Sequence, residues 1–280
     1  MNNYNENTDE LIKYKKISVP LDSRLFIFSD VHGKKNEVDM LIKKVKGKET
    51  DHYAFIGDII DRGPHGPALL YDVIYNDNYH MCIGNHEHFL IKSCENQLFF
   101  QNWMFKDSKY DNGGTETFFS IFHPGMNFFK DKLTNKCPLI LEIEHGDLNL
   151  GLIHAEVPLF FETRPYMSNW QDIVEYAHCN SYYGWDMIWS RDVIKNVLQH
   201  YQNGTISSLP KIEGIDYVLH GHTGVKNPIK HQNMIWFDTG FASGKISMLE
   251  YDKENNDFII HQLDDEEILY IKEQGNNIIV

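Results

Sequence analysis

Residues 25–46 read LFIFSDVHGKKNEVDMLIKKVK, and the rest of the chain can be built outward from them. Leu25–Phe28 is an unbroken apolar run of strand length. A strand with one wet face alternates apolar and polar residues, so an unbroken run calls for cover on both faces, as in the sheet of an α/β protein. Beyond Gly33 the apolar residues recur at helical spacing and the charges fall on the opposite side. Between strand and helix lie Asp30 and His32, polar residues at a strand's carboxyl end.

The same grammar repeats downstream. YAFIGD (53–58) reads as a strand, PALLYDVIYN (67–76) as a helix opened by Pro67, HMCIG (80–84) as a third strand and HEHFLIKSCENQLF (86–99) as a third helix. Such alternation predicts a substantially parallel sheet. Later come LILEIE, LNLGLIHAE, DYVLHGH, MIWFDTG, ISMLEY and FIIHQL, strands with less helix between them, which predict a mixed or antiparallel second layer packed on the first. The fold class expected is α/β (α+β). Residues 1–20 are expected to be a flexible lead-in, becoming ordered near Ile17–Pro20, and 21–280 a single catalytic domain. Residues 106–134 read as a long surface excursion. The aromatics of 160–189 read as core more than as cleft lining.

Composition narrows the function classes. Apolar residues make up 42% of the 280 and charged ones 24%, the balance of a globular chain. Lysine and arginine number 26 against 40 acids, and the net charge of −14 argues against a general nucleic-acid or anionic-membrane surface. No run has the length of a membrane span and no secretory signal opens the chain, so a cytoplasmic location is expected. Cys82, Cys94, Cys137 and Cys179 are too scattered for a disulfide framework or a zinc–cysteine site.

Ligands of open α/β sheets bind beyond the carboxyl ends of the strands, so polar residues ending several strands should converge. Asp30 and His32 follow one strand, Asp58, Asp61 and Arg62 the next, Asn85 and His86 the third; His154 and His222 follow two later ones. Each motif alone has a bland reading. Asp-containing turns at strand ends are common, Asn85 suits a helix cap, and single histidines usually sit satisfied in a core. Taken together they form a mixed oxygen and nitrogen donor set with no thiolate, better suited to manganese, iron or zinc than to calcium. Six donors exceed one tetrahedral site. If Asp58 bridges, Asp30, His32 and Asp58 serve one ion, and Asp58, Asn85, His154 and His222 a second.

The segments SDVHG (29–33), GDIIDRG (57–63), GNHE (84–87), IHAE (153–156) and HGHT (220–223) resemble the signature of the phosphoprotein phosphatase family of calcineurin-like metallophosphoesterases. The likeness is to the small bacterial and phage type of serine/threonine phosphatase, through MIWSR (187–191) and FDTGFASGK (237–245), and runs from about Leu25 to Tyr251. The resemblance implies a two-sheet β-sandwich flanked by helices and two divalent ions, commonly manganese, with iron or zinc as alternatives. It implies the ligand division just given. It also implies His86 as general acid oriented by Asp61, Arg62 and Arg191 as phosphate clamps, and a hydroxide between the ions as nucleophile. Imidazole beside carboxylate suits a proton donor, and planar guanidinium groups fork onto phosphate oxygens.

The expected activity is hydrolysis of phosphoserine and phosphothreonine in proteins, with phosphotyrosine open, so the partner is a phosphorylated protein or peptide. A dinucleoside polyphosphate or 2′,3′-nucleotide hydrolase is the alternative from a similar site; an inactive phospho-binding module fits less well, because every position keeps the residue that the chemistry needs. The sequence departs from the resembled pattern in two places. Glu156 replaces the usual glycine and is expected to face solvent. Trp103 lies well upstream of Asn112, Gly113 and Gly114, so the groove around that loop is expected to be reshaped. His220 could support a ligand from behind, and its alternation with strand residues favours a packing role at least as much.

Overall fold

Leu25–Phe28 forms strand β2, with all four side chains buried. This computed structural model describes residues 11–104, 113–159, 167–179 and 184–268. β2 pairs in parallel with β3 (His52–Phe55), and β3 in parallel with β4 (Tyr79–Met81). On the other edge β10 (Met248–Asp252) joins β2 antiparallel, and β11 (Asp257–His261) closes a five-stranded sheet ordered β11-β10-β2-β3-β4. The second sheet has six strands ordered β1-β5-β6-β7-β9-β8, from β1 (Ile12–Ser18), β5 (Pro138–His145), β6 (Leu148–Ile153), β7 (Tyr217–His220), β8 (Ile229–His231) and β9 (Met234–Trp236).

Alternate residues of β2 serve two cores. Leu25 and Ile27 pack with Ala54, Ile56, Leu141, Ile143, Leu150 and Leu152 between the sheets. Phe26 and Phe28 face the helices, where Phe26 stacks on Tyr53 at 5.5 Å and Phe28 on Phe55 at 5.1 Å. Burying a phenylalanine is worth about 1.5–3 kcal/mol, so both faces favour this register, and a one-residue slip would exchange them. The two-sheet sandwich and the parallel β2-β3-β4 core agree with the expectation.

The helices over the outer face are α1 (Lys35–Lys44), α2 (Gly66–Tyr75), α3 (Asn85–Ser93), α4 (Gln97–Met104) and α5 (Gly114–Lys136). Later in the chain come α6 (Trp170–Cys179), α7 (Gly184–Trp189), α8 (Asp192–Gln202) and the short α9 (Gly240–Ser243).

Several expectations need correction. The third helix is two, α3 and α4, with Cys94–Asn96 between them. The stretch expected as a loose lead-in holds β1, paired in parallel from Ile12↔Pro138 to Ser18↔Glu144; Lys16 bonds Glu142 and Glu144, each at 3.0 Å. Its polar face hides it from an apolar-pattern reading, because an edge strand needs only one buried side. Residues 1–10 lie outside the described residues. Most of the expected excursion is α5, interrupted at Phe122 (φ 53°, ψ 175°), two residues before Pro124, which has no N–H for the helical ladder; residues 106–112 are not described. Trp170 is core: Gly151 leaves room for its ring, and its Nε1 donates to Glu142 at 2.5 Å. Residues 160–166 and 180–183 fall outside the described segments. No described helix is long and apolar enough to cross a membrane.

Candidate metal centre

The loops after β2 and β3 are stitched together by backbone. Val31 and His32 donate to the Asp58 carbonyl at 3.0 and 2.9 Å, and Gly33 donates to Ile59 O at 2.8 Å. The turns are sharp enough that five polar residues take left-handed φ: His32 (47°), Asp58 (49°), Asp61 (68°), Arg62 (63°) and His222 (61°). Side chains other than glycine rarely accept this conformation, and its concentration in one cluster marks strain held for a purpose. Two glycines permit the close approach of these loops. A Cβ on Gly84 would lie 2.2 Å from Asp58 Oδ1, and one on Gly221 would lie 2.1 Å from Asp30 Oδ1.

Asp58 is the hub. Its carboxylate falls in two groups whose donor atoms approach within 4.8 Å of one another: His32 with His86, and His154 with His222. The individual separations from Asp58 Oδ2 are 3.8 Å to His32 Nε2, 3.8 Å to His86 Nε2 and 3.4 Å to His154 Nε2. Asn85 Oδ1 sits 2.9 Å from both His154 Nε2 and His222 Nδ1. Asp30 gives Oδ1 to the His222 amide and the Ser29 hydroxyl, each at 2.9 Å, while its Oδ2 stays 4.0 Å from His32 Nε2. The six ligands expected from the sequence therefore converge. The sequence division kept His86 out of the first set, whereas the geometry puts its Nε2 beside Asp58 and leaves Asp30 at the rim of that group.

The donor chemistry fits cations. His32 Nδ1 faces Ile60 O at 3.1 Å, His154 Nδ1 faces Ile56 O at 2.7 Å, and His222 Nε2 faces Trp189 O at 3.1 Å. Each carbonyl fixes a proton on that nitrogen and turns the other ring nitrogen, as a lone pair, toward the cluster, the usual support of a metal-bound histidine. Lone pairs of His154, His222 and Asn85 meeting at one point repel unless a positive charge lies among them. Burial works against an imidazolium at His154, yet Asp58 overrides it and raises the ring to about 10. A positive charge is favoured at this spot, and a divalent ion would supply it in place of the proton.

Two other buried acids, Glu87 and Asp61, are already compensated. Glu87 accepts the amides of Asp58, Ile59, Ile60 and Gly84 at 2.8, 3.0, 3.3 and 3.1 Å. Asp61 receives Thr117 Oγ1 at 2.6 Å and Trp103 Nε1 at 2.7 Å, and its Oδ2 holds His86 Nδ1 at 2.7 Å. His86 Nε2 is thereby aimed at the cluster. Arg62 borders the first group, with Nη1 2.6 Å from His32 Nε2 and Nη2 3.1 Å from His86 Nε2. Arg191 borders the second, donating from Nη2 to the His222 carbonyl at 3.3 Å. Both guanidinium groups lie in exposed residues.

Glu156 overturns an expectation: it is 1% exposed and bonded to the start of α8, so it does not face solvent. Trp103 donates to Asp61 from upstream, and Gly114 packs directly on its ring. Asn112 lies outside the described residues. His220 packs, stacked on Trp236 at 5.1 Å with Nδ1 2.9 Å from Ile153 O. Residue-by-residue reading missed the bond of Trp103 to Asp61, Thr117, the tethering role of Glu87 and the buried Asp238, whose carboxyl is pushed up to about 6, mainly by burial. Glu87 and Asp238 lay inside motifs, GNHE and FDTG, that could have flagged them; Thr117 carried no local signal.

A sandwich of this topology with a shared carboxylate at its strand ends defines a metallophosphoesterase. The calcineurin-like phosphoesterase family model matches residues 23–226, well over half of the chain, and the chain belongs to that family. Its particular relatives are protein phosphatases by name. The serine/threonine-protein phosphatase 1 of Salmonella typhimurium is 23% identical over 82% of this chain and 93% of that protein. The serine/threonine-protein phosphatase 4 catalytic subunit of Saccharomyces cerevisiae is 31% identical over 29% of this chain and 28% of its own length, so the chain matches only a minor part of that relative. Among solved structures, a yeast protein serine/threonine phosphatase similar to human phosphatase PP5 aligns with TM-score 0.56 at 14% identity, over 91% of this chain and 84% of that one. The structure described as a putative diadenosine tetraphosphatase aligns with TM-score 0.50 at 15% identity, covering 89% and 98%. At these identities the structural likeness speaks for the fold.

Proposed function

We propose that the chain is a phosphomonoesterase with two divalent ions, manganese first, acting on phosphoserine and phosphothreonine in proteins. The observation that carries this reading is Asp58, one carboxylate common to two groups of imidazoles, with the His86–Asp61 pair alongside. Bound there through Asp30, His32, Asp58, Asn85, His154 and His222, a cation pair supplies charge neutralisation for the phosphate and acidification of a water. Arg62 and Arg191 take the phosphoryl oxygens, each able to offer two N–H groups to two of them. His86, held through Nδ1 by Asp61, presents a proton on Nε2 to the leaving oxygen. The ester P–O bond breaks, water oxygen forms the new one, and the serine or threonine hydroxyl departs protonated. Thr117 and Trp103 hold Asp61 while His86 changes charge. The names of the relatives support protein phosphoesters as the substrate class.

The test is phosphate release from phosphoserine, phosphothreonine and phosphotyrosine peptides and from a dinucleoside tetraphosphate, with manganese and then with chelator. Chelator-sensitive release from the first two peptides is expected. Turnover of the dinucleotide alone would replace the substrate class.

A further inference from the structure

Glu156 stands two residues after His154 and bonds the start of a helix that lies later in the chain. Its Oε1 accepts the Ile194 amide at 2.7 Å; its Oε2 accepts the Val193 amide at 3.0 Å and the Ser190 hydroxyl at 2.8 Å. Ser190 Oγ in turn accepts the Asp192 amide at 3.2 Å. These are the first-turn amides of α8, which have no partner within the helix. Serine, threonine or aspartate at the cap position normally meets them. Here the cap position is Arg191, which makes no side-chain cap bond, and the acceptor comes instead from the His154 loop. A carboxylate at this end also meets the positive pole of the helix.

The segment before α8 is fastened to the loops that carry both histidines of the second group. Met187 O accepts the Ala155 amide at 2.8 Å, Trp189 O faces His222 Nε2 at 3.1 Å, and Arg191 Nη2 reaches His222 O at 3.3 Å. With both oxygens committed to α8 and Ser190, Glu156 is turned away from substrate and cation alike. We propose that Glu156 is a positioning residue: it locks the start of α8 to the His154 loop and so sets the Arg191 guanidinium for the substrate's phosphoryl oxygens. This rests on the reading above, in which Arg191 binds the phosphoryl group.

The test is a double-mutant cycle on the full manganese-loaded chain, with inorganic phosphate as the probe and affinity read by titration calorimetry. Glu156→Gln replaces one acceptor oxygen by a donor and is expected to weaken phosphate about tenfold, in the range found for residues that orient a site's ligands. Arg191→Ala should weaken it at least as much, and the double variant no further than Arg191→Ala alone, since coupled residues are not additive. Ser190→Ala, a milder change, should show a smaller loss with the same coupling, and it carries the test if Glu156→Gln does not fold. Additive losses, or a lower melting temperature with unchanged phosphate affinity, would overturn the proposal. Coupled phosphate binding in a chain that hydrolyses no phosphomonoester would leave this positioning role standing and remove the phosphatase reading.

Discussion

His86 Nε2 and Asp58 Oδ2 face each other across 3.8 Å, yet their surroundings fit them for different work. Asp58 is fixed among imidazoles on both sides; burial alone would raise its carboxyl, but His154, His86 and His32 together hold it well below the ordinary range, ready to share its charge between ions. His86 is backed by a carboxylate. His86→Asn is therefore expected to lower turnover about a hundredfold to ten-thousandfold while metal content is unchanged, whereas Asp58→Asn should lower the affinity for both ions. Metal analysis beside turnover checks this, and equal metal loss in the two variants would contradict the assignment. Trp103→Phe keeps the ring but deletes the donor to Asp61. It should lower turnover about tenfold without loss of metal, and an unchanged pH profile would contradict a role through Asp61. The ligands themselves were legible because each ends a strand inside a short motif. Trp103 and Thr117 were not, because they arrive 42 and 56 residues from Asp61 through the packing of α4 and α5.

The frame that aims these loops depends on elements that touch no ligand. Arg24, at the start of β2, donates to Asp51 from Nε at 3.1 Å and from Nη2 at 2.5 Å, and to the carbonyls of Val45 and Lys46 just beyond α1, each at 3.1 Å. The Lys48 amide adds a bond to Asp51 Oδ2 at 2.7 Å. Burial pushes the Asp51 carboxyl up, but Arg24 and that amide outweigh it and leave it below its ordinary value. A carboxyl held low in the folded state stabilises fully above its unfolded pKa of about 4, and the benefit is lost as pH falls through the folded value. Asp51→Asn should cost about 1.5–3 kcal/mol at neutral pH, with a gap from the parent that narrows in acid; urea unfolding across pH reads this out. A gap that is constant with pH would contradict the charged pair. Strands flanked by motifs were readable at this scale. The edge strand β1 was not, because Lys13, Lys15 and Lys16 break its apolar pattern, and neither was α5, whose periodicity is broken at Phe122.

Across the molecule, a chain with net charge −14 gathers Asp30, Asp58, Asp61, Glu87 and Asp238, all buried, at one end of its sandwich. Backbone amides compensate Glu87, and Trp103, Thr117 and His86 compensate Asp61. Cations bound there would bind the folded chain alone, so chelation should lower the melting temperature, and by more when the chain starts at saturating than at low manganese. The glycine approaches, left-handed turns and carbonyl-anchored imidazoles all serve the same end, two candidate ligand clusters about one carboxylate. The most direct measurement is the metal content of the manganese-equilibrated full chain by plasma mass spectrometry, taken beside its release of phosphate from a phosphoserine peptide. Two ions per chain with chelator-sensitive release is the predicted result; one ion or none in a chain that still releases phosphate would contradict it.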